Sequence, residues 1–182
     1  MKKIICILCS LAIILVCIGG CGTAGGNPFT AENAVKGQVG DLYYVVPENA
    51  VLDESSIDES NVYRVPIANS NEEYTLSIAC SYLDEEAYET SVQYWENLKG
   101  ILSSASTEYA EQGSFYEEQD ITSFLGKTVD YGSKITVEGN GQKMVSAFVI
   151  TSNKVCGVTY SAKTGFYDQA VWDNFYAQLK FV

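Results

Sequence analysis

Hydrophobic and polar positions change their rhythm several times along the 182 residues, and each change predicts an element. The chain opens with an almost unbroken apolar run, Ile4 to Ile18, interrupted by Ser10 and preceded by Lys2 and Lys3. Residues 22–40 then hold five glycines, one proline and few large apolar side chains, a composition that predicts a flexible tether. From Asp41 onward the pattern becomes that of a folded domain. Leu42–Val46 reads as a strand stopped by Pro47, and Asn61–Ala68 as a second short strand.

Tyr74–Tyr82 alternates, with Leu76, Ile78, Cys80 and Tyr82 on one face and Thr75, Ser77, Ala79 and Ser81 on the other. The small face predicts a helix or a second layer packed close against it. Asp84 is placed to cap a helix, with Glu85 and Glu86 in the first turn, where the dipole favours acids. Tyr88, Val92, Trp95, Leu98 and Leu102 recur at three- and four-residue steps and form one apolar stripe. Residues 103–119 are polar and predict a loop or weak extended structure.

Ile121–Val129 predicts a strand broken at Gly126, with Gly132 marking the next bend. Lys134–Glu138 and Lys143–Thr151 flank Gly139-Asn140-Gly141, a strong hairpin turn because these residues tolerate positive φ. The second of these strands is apolar on both faces, with Met144, Phe148 and Ile150 opposed to Val145, Ala147 and Val149, so it should be central and covered twice. Ser152-Asn153 permits a tight turn into Lys154–Ser161. A last helix is predicted from Gly165 through about Gln178, burying Val171, Trp172, Phe175 and Leu179. Phe181 and Val182 read as a short terminal strand or a packed tail.

The apolar N-terminal run of 15 residues is short for a span, which needs about 20. Its length and positive flank are those of a secretory signal. The run ends in Ile18-Gly19-Gly20-Cys21, which resembles the lipobox of bacterial lipoproteins: aliphatic, small, small, cysteine. This resemblance implies that residues 1–20 are a lipoprotein signal peptide. It also implies that the Cys21 thiol takes a diacylglyceryl group by thioether formation, with fatty chains such as palmitate. Each buried CH₂ contributes about 0.8 kcal/mol, so two chains should anchor the protein stably. The expected partner of that end is the membrane itself, through the lipid anchor at Cys21, on the extracytoplasmic face of a bacterial cell membrane. Residues 21–40 would be the lipid-anchored tether and residues 41–182 a single domain.

Charge and composition narrow the function further. Losing Lys2 and Lys3 leaves 9 basic against 23 acidic residues, a net charge near −14. No nucleic-acid partner is expected, because a binder needs a basic face to displace counterions. Arg64 is the one arginine, which also argues against forked recognition of phosphate. The chain has no histidine, which excludes histidine general base catalysis, Ser-His-Asp and Cys-His machinery, and histidine-ligated metal sites. No cofactor is expected. The Asp53-x4-Asp58 spacing does not match a calcium loop, which needs oxygens at alternate positions and a turn glycine. Glu117, Glu118 and Asp120 would act as an acid–base pair only in a cleft with a defined carboxyl separation, and the sequence supplies neither. With Cys6, Cys9 and Cys17 in the leader and Cys21 the lipid site, Cys80 and Cys156 remain. They are either small core residues or a disulfide that an export compartment permits.

The order of elements resembles the PsbP-like family. An amphipathic helix after a long strand is followed by a strand containing Phe124-Leu125-Gly126-Lys127. A meander then leads through Val155-Cys156-Gly157-Val158-Thr159-Tyr160-Ser161 to the aromatic helix Phe166–Leu179. The resemblance covers roughly residues 41–182. It implies an α+β fold, an antiparallel β-sheet flanked by helices on both faces in an α/β/α sandwich. It also implies a non-catalytic extrinsic or accessory factor that docks on larger assemblies. No metal-binding or docking residue of the family has a match here, and a photosynthetic role is not implied. The expectation is therefore a lipid-anchored extracytoplasmic accessory protein without catalysis, whose partner is an envelope protein or a surface ligand. The alternative is a surface lipoprotein that binds a small molecule or glycan through exposed tyrosines.

Overall fold

Strands with two apolar faces need cover on both sides, and that requirement organises the whole domain. The structure, a computed structural model, describes residues 27–151 and 153–182. In chain order the strands are β1 (Val35–Val39), β2 (Leu42–Val46), β3 (Val51–Leu52), β4 (Ser60–Pro66) and β5 (Glu73–Tyr82). Helix α1 (Glu85–Glu108) follows. Then come β6 (Phe115–Asp120), β7 (Ser123–Phe124), β8 (Lys127–Thr128), β9 (Tyr131–Gly139), β10 (Gln142–Thr151) and β11 (Lys154–Lys163). Helix α2 (Gln169–Ala177) and β12 (Lys180–Phe181) close the chain.

Seven strands form one antiparallel sheet in the order β3-β4-β5-β11-β10-β9-β6. Helix α1 carries the chain from β5 to β6 at the far edge, and the meander β6-β9-β10-β11 returns to β5. The β9–β10 hairpin closes at Asn140 and Gly141, both at positive φ, as the Gly-Asn-Gly run requires. The break at Gly126 is also a two-residue turn, with Leu125 and Gly126 at positive φ between β7 and β8.

One sheet face meets α1. Trp95 is buried there among Ala79, Ile135, Phe148, Ile150 and Val155. Ala79 belongs to the small face of β5, which leaves room for this layer as the sequence predicts. The Asp84 side chain accepts from the Ala87 amide at 2.9 Å and caps the helix.

The opposite face does not have a helix as its main cover. A second sheet, β1-β2-β12, packs there together with α2. Leu42, Tyr44 and Val46 of β2 join Trp172 and Phe175 of α2 in one core with Leu76, Ile78, Val145, Val149 and Val158 of the large sheet. The fold is thus antiparallel and sheet-dominated with two helices, and the expected helix layer on both faces is only loosely met. The physical reason is length: α2 has nine residues, too few to cover seven strands, so the small sheet completes the layer.

Two boundaries shift. The folded domain begins before Asp41, because Phe29 is buried against Phe175, with ring centroids 6.0 Å apart, and β1 pairs with β2 along its whole length. Two of the glycines read as tether residues belong to the fold: the Tyr44 ring lies over Gly37, and Gly40 turns the chain at positive φ. Residues 103–108 continue α1, contrary to the expected loop or weak extended structure, and residues 115–120 form edge strand β6, in line with the extended alternative. Both are polar because solvent covers much of them. Tyr82 ends its strand at the surface and does not share the burial of Leu76, Ile78 and Cys80. The leader, Cys21, the first part of the tether and Ser152 of the expected tight turn lie outside the described residues.

Candidate functional site

The first described segment and the C-terminal segment meet beside the small sheet. Residues 29–32, Ala34, Lys36, Tyr43, Val45 and residues 177–180 line an open groove of about 660 Å³. Alternation along β2 explains Tyr43: Leu42, Tyr44 and Val46 turn into the core, so Tyr43 and Val45 face the other way. Phe29, Ala34, Val45 and Leu179 are its buried lining, while Lys36, Lys180 and Glu32 bring charge to it. The Lys180 ammonium sits 4.4 Å from the centre of the Tyr43 ring. Asn27 holds the first segment in place by donating to the Asn174 side chain at 2.7 Å and accepting from the Phe29 amide at 3.0 Å.

A second cluster gathers at the β1–β2 turn. The Asp41 carboxylate pairs with Lys154 and accepts from the Tyr82 hydroxyl at 2.8 Å. Hydrogen bonding to Lys154, then to Tyr82, holds the Asp41 carboxyl below its usual range. The same bond to Asp41 raises Lys154. Next to these groups, Cys80 and Cys156 lie directly opposite each other on β5 and β11, both buried, with their sulfur atoms in contact. The structure thus brings together the two cysteines read as core residues or a disulfide.

The acidic residues considered for catalysis are not. On β6, Glu118 lies on the α1 side of the sheet and Glu117, one residue away, points to the other. Glu118 pairs with Lys99 of α1, which also pairs with Glu96 at 2.9 Å. Tyr131 donates to Glu96, and Tyr116 to Glu118 at 3.1 Å. Burial alone would lower Lys99, but its bonds to Glu118, Glu96 and Tyr131 outweigh that and raise it. Burial and the Glu118 charge push Tyr116 up to about 12. This network ties α1 to the sheet edge. Asp53 caps its own turn through the Ser55 amide at 2.9 Å and pairs with Arg64 at 2.8 Å, while Asp58 is exposed. Among the described residues, no three Cys, Asp or Glu side chains converge to hold a metal ion, and no helix is long and apolar enough to cross a membrane.

Tyrosine serves mainly as core material. Tyr44, Tyr63, Tyr74 and Tyr160 are buried, and the hydroxyls of Tyr44 and Tyr63 meet at 2.9 Å. Sequence reasoning missed the groove, the Asp41–Lys154 pair and the Lys99 network. Phe29, the one aromatic residue in a glycine-rich stretch, was the available signal for the first. The other two join residues far apart in sequence and leave no local pattern.

No protein-family model matches the chain, and no curated protein matches it. Among solved structures, the chain is similar to the solution structure of cyanobacterial PsbP (CyanoP) from Synechocystis sp. PCC 6803. The similarity covers 91% of this chain and 99% of that one, with a TM-score of 0.53 and 12% sequence identity. The chain therefore carries a PsbP-like fold.

Proposed function

We propose that this chain is a lipid-anchored extracytoplasmic accessory protein, held by a diacylglyceryl thioether on Cys21, whose domain docks on a membrane-bound protein and does not catalyse a reaction. The observation that carries this reading is the position of the groove. Its first wall begins at Phe29, eight residues after Cys21, and fully extended chain spans at most about 3.6 Å per residue. The groove would then lie within about 30 Å of the acyl chains. The net charge near −14 disfavours an anionic lipid surface as its occupant and favours a protein. The PsbP-like fold supports an accessory role by resemblance.

The alternative is a small molecule or glycan bound across Tyr43. Lys180 already occupies one face of that ring, which favours docking. Photo-crosslinkers at Lys36 and at Ile101, an exposed residue on α1, separate the readings in intact membranes. One discrete protein adduct from position 36 and none from position 101 is the expected result. Equal or absent adducts at both positions would reject docking through the groove.

A further inference from the structure

We propose that Cys80 and Cys156 form a redox-active pair that closes to a cross-strand disulfide by exchange with an external disulfide, and that the Gly40–Asp41 turn is its cover. This does not depend on the lipid anchor.

The register sets Cys156 directly against Cys80. The Cys80 amide donates away from β11, to the Glu59 carbonyl at 3.2 Å, so the two cysteines occupy a non-hydrogen-bonded pair. In such pairs the Cα atoms approach to about 4.5 Å, within the range that a disulfide bridges. The two sulfur atoms face each other in contact. Two core residues chosen for volume alone would not need to face each other in this register.

The surroundings suit exchange. Lys154 and Tyr82 form the next cross-strand pair on the same sheet face, and Lys154 holds Asp41 above the thiols. A hydrogen bond from Cys156 favours the Cys80 thiolate against the cost of burial, and the Asp41 amide and Lys154 add to it. Cys156 is raised by the same bond and by burial, so it keeps its proton. The pair thus divides into a nucleophile and a resolving thiol. The cover is tight: a Cβ at Gly40 would stand 2.7 Å from the Cys80 carbonyl oxygen.

In the reaction, the Cys80 thiolate attacks one sulfur of a disulfide R–S–S–R, forms a mixed disulfide and releases RS⁻. Cys156 then gives its proton to RS⁻, and its thiolate attacks the Cys80 sulfur and releases the second RS⁻, which takes up the proton originally lost from Cys80. The two protein thiols lose two electrons and two protons, and R–S–S–R becomes two R–SH.

The test uses the reduced full chain in detergent with oxidised glutathione, followed by alkylation and peptide mass mapping. The expected product is a linked 80–156 peptide. Cys156→Ser should trap glutathione on Cys80, and Cys80→Ser should leave Cys156 largely unmodified. Asp41→Asn should speed closure about two- to fivefold, the factor that a partly exposed ion pair can hold. Circular dichroism confirms that each variant is folded. Failure of the folded wild type to form the linked peptide, when the urea-unfolded chain reacts under the same conditions, would overturn the pair. An unchanged rate in Asp41→Asn would overturn the cover.

Discussion

The indole of Trp95 lies flat on the ring of Phe148, with centroids 4.6 Å apart and planes 11° from parallel. This contact joins α1 to the middle of the meander, and both residues are fully buried. Trp95→Ala should destabilise the domain by about 3–5 kcal/mol through lost burial and an unfilled cavity. Trp95→Phe should cost less, because it keeps an aromatic ring and removes an indole N–H that has no hydrogen-bond partner. Urea denaturation followed by circular dichroism measures both.

Glycines 37 and 100 should respond in opposite directions to alanine. A Cβ at Gly37 would collide with the Tyr44 ring, which is held by hydroxyl contacts to Tyr63 and Asn61. Gly37→Ala should therefore cost about 1–3 kcal/mol. Gly100 lies inside α1 with open space around its Cβ direction, so Gly100→Ala should stabilise by about 0.5–1 kcal/mol. Thermal unfolding of the two variants beside the wild type gives the comparison.

The Lys99 network predicts an acid-sensitive component of stability. Hydrogen bonding from Tyr131, then from Lys99, holds the Glu96 carboxyl below its ordinary range in the folded protein. A lowered folded pKa contributes stability above the unfolded value, about 4.3 for glutamate, and that contribution is lost as pH falls through the folded value. Glu96→Gln should thus lower Tm at pH 7, and the difference from wild type should shrink as pH falls below about 4.3. A difference that stays constant from pH 7 to pH 3 would remove Glu96 as its source.

The parts of the fold legible in the sequence are those where one chain segment meets one packed layer at a fixed period. Strand β10 declares itself because both its faces are apolar, and α1 because Trp95 and its neighbours repeat along one face. Strand β1 is not legible: of Val35-Lys36-Gly37-Gln38-Val39 only Val39 is buried, and pairing with β2 makes it a strand. Serines and threonines after Leu102 are weak helix formers, so the last turns of α1 leave little trace. The cysteine pair was legible as two residues in buried strands, but their opposition depends on a register between β5 and β11 that no local pattern fixes. The groove was hidden for the same reason, since its two walls come from opposite ends of the domain.

Lipid attachment is tested most directly by mass spectrometry of the N-terminal peptide of the full chain after expression in a bacterial host and isolation from its membranes. The expected result is a peptide that begins at Cys21 and carries a diacylglyceryl group on its sulfur. A chain released into the medium with an unmodified Cys21 sulfur would contradict the anchor, and with it the placement of the groove beside a membrane.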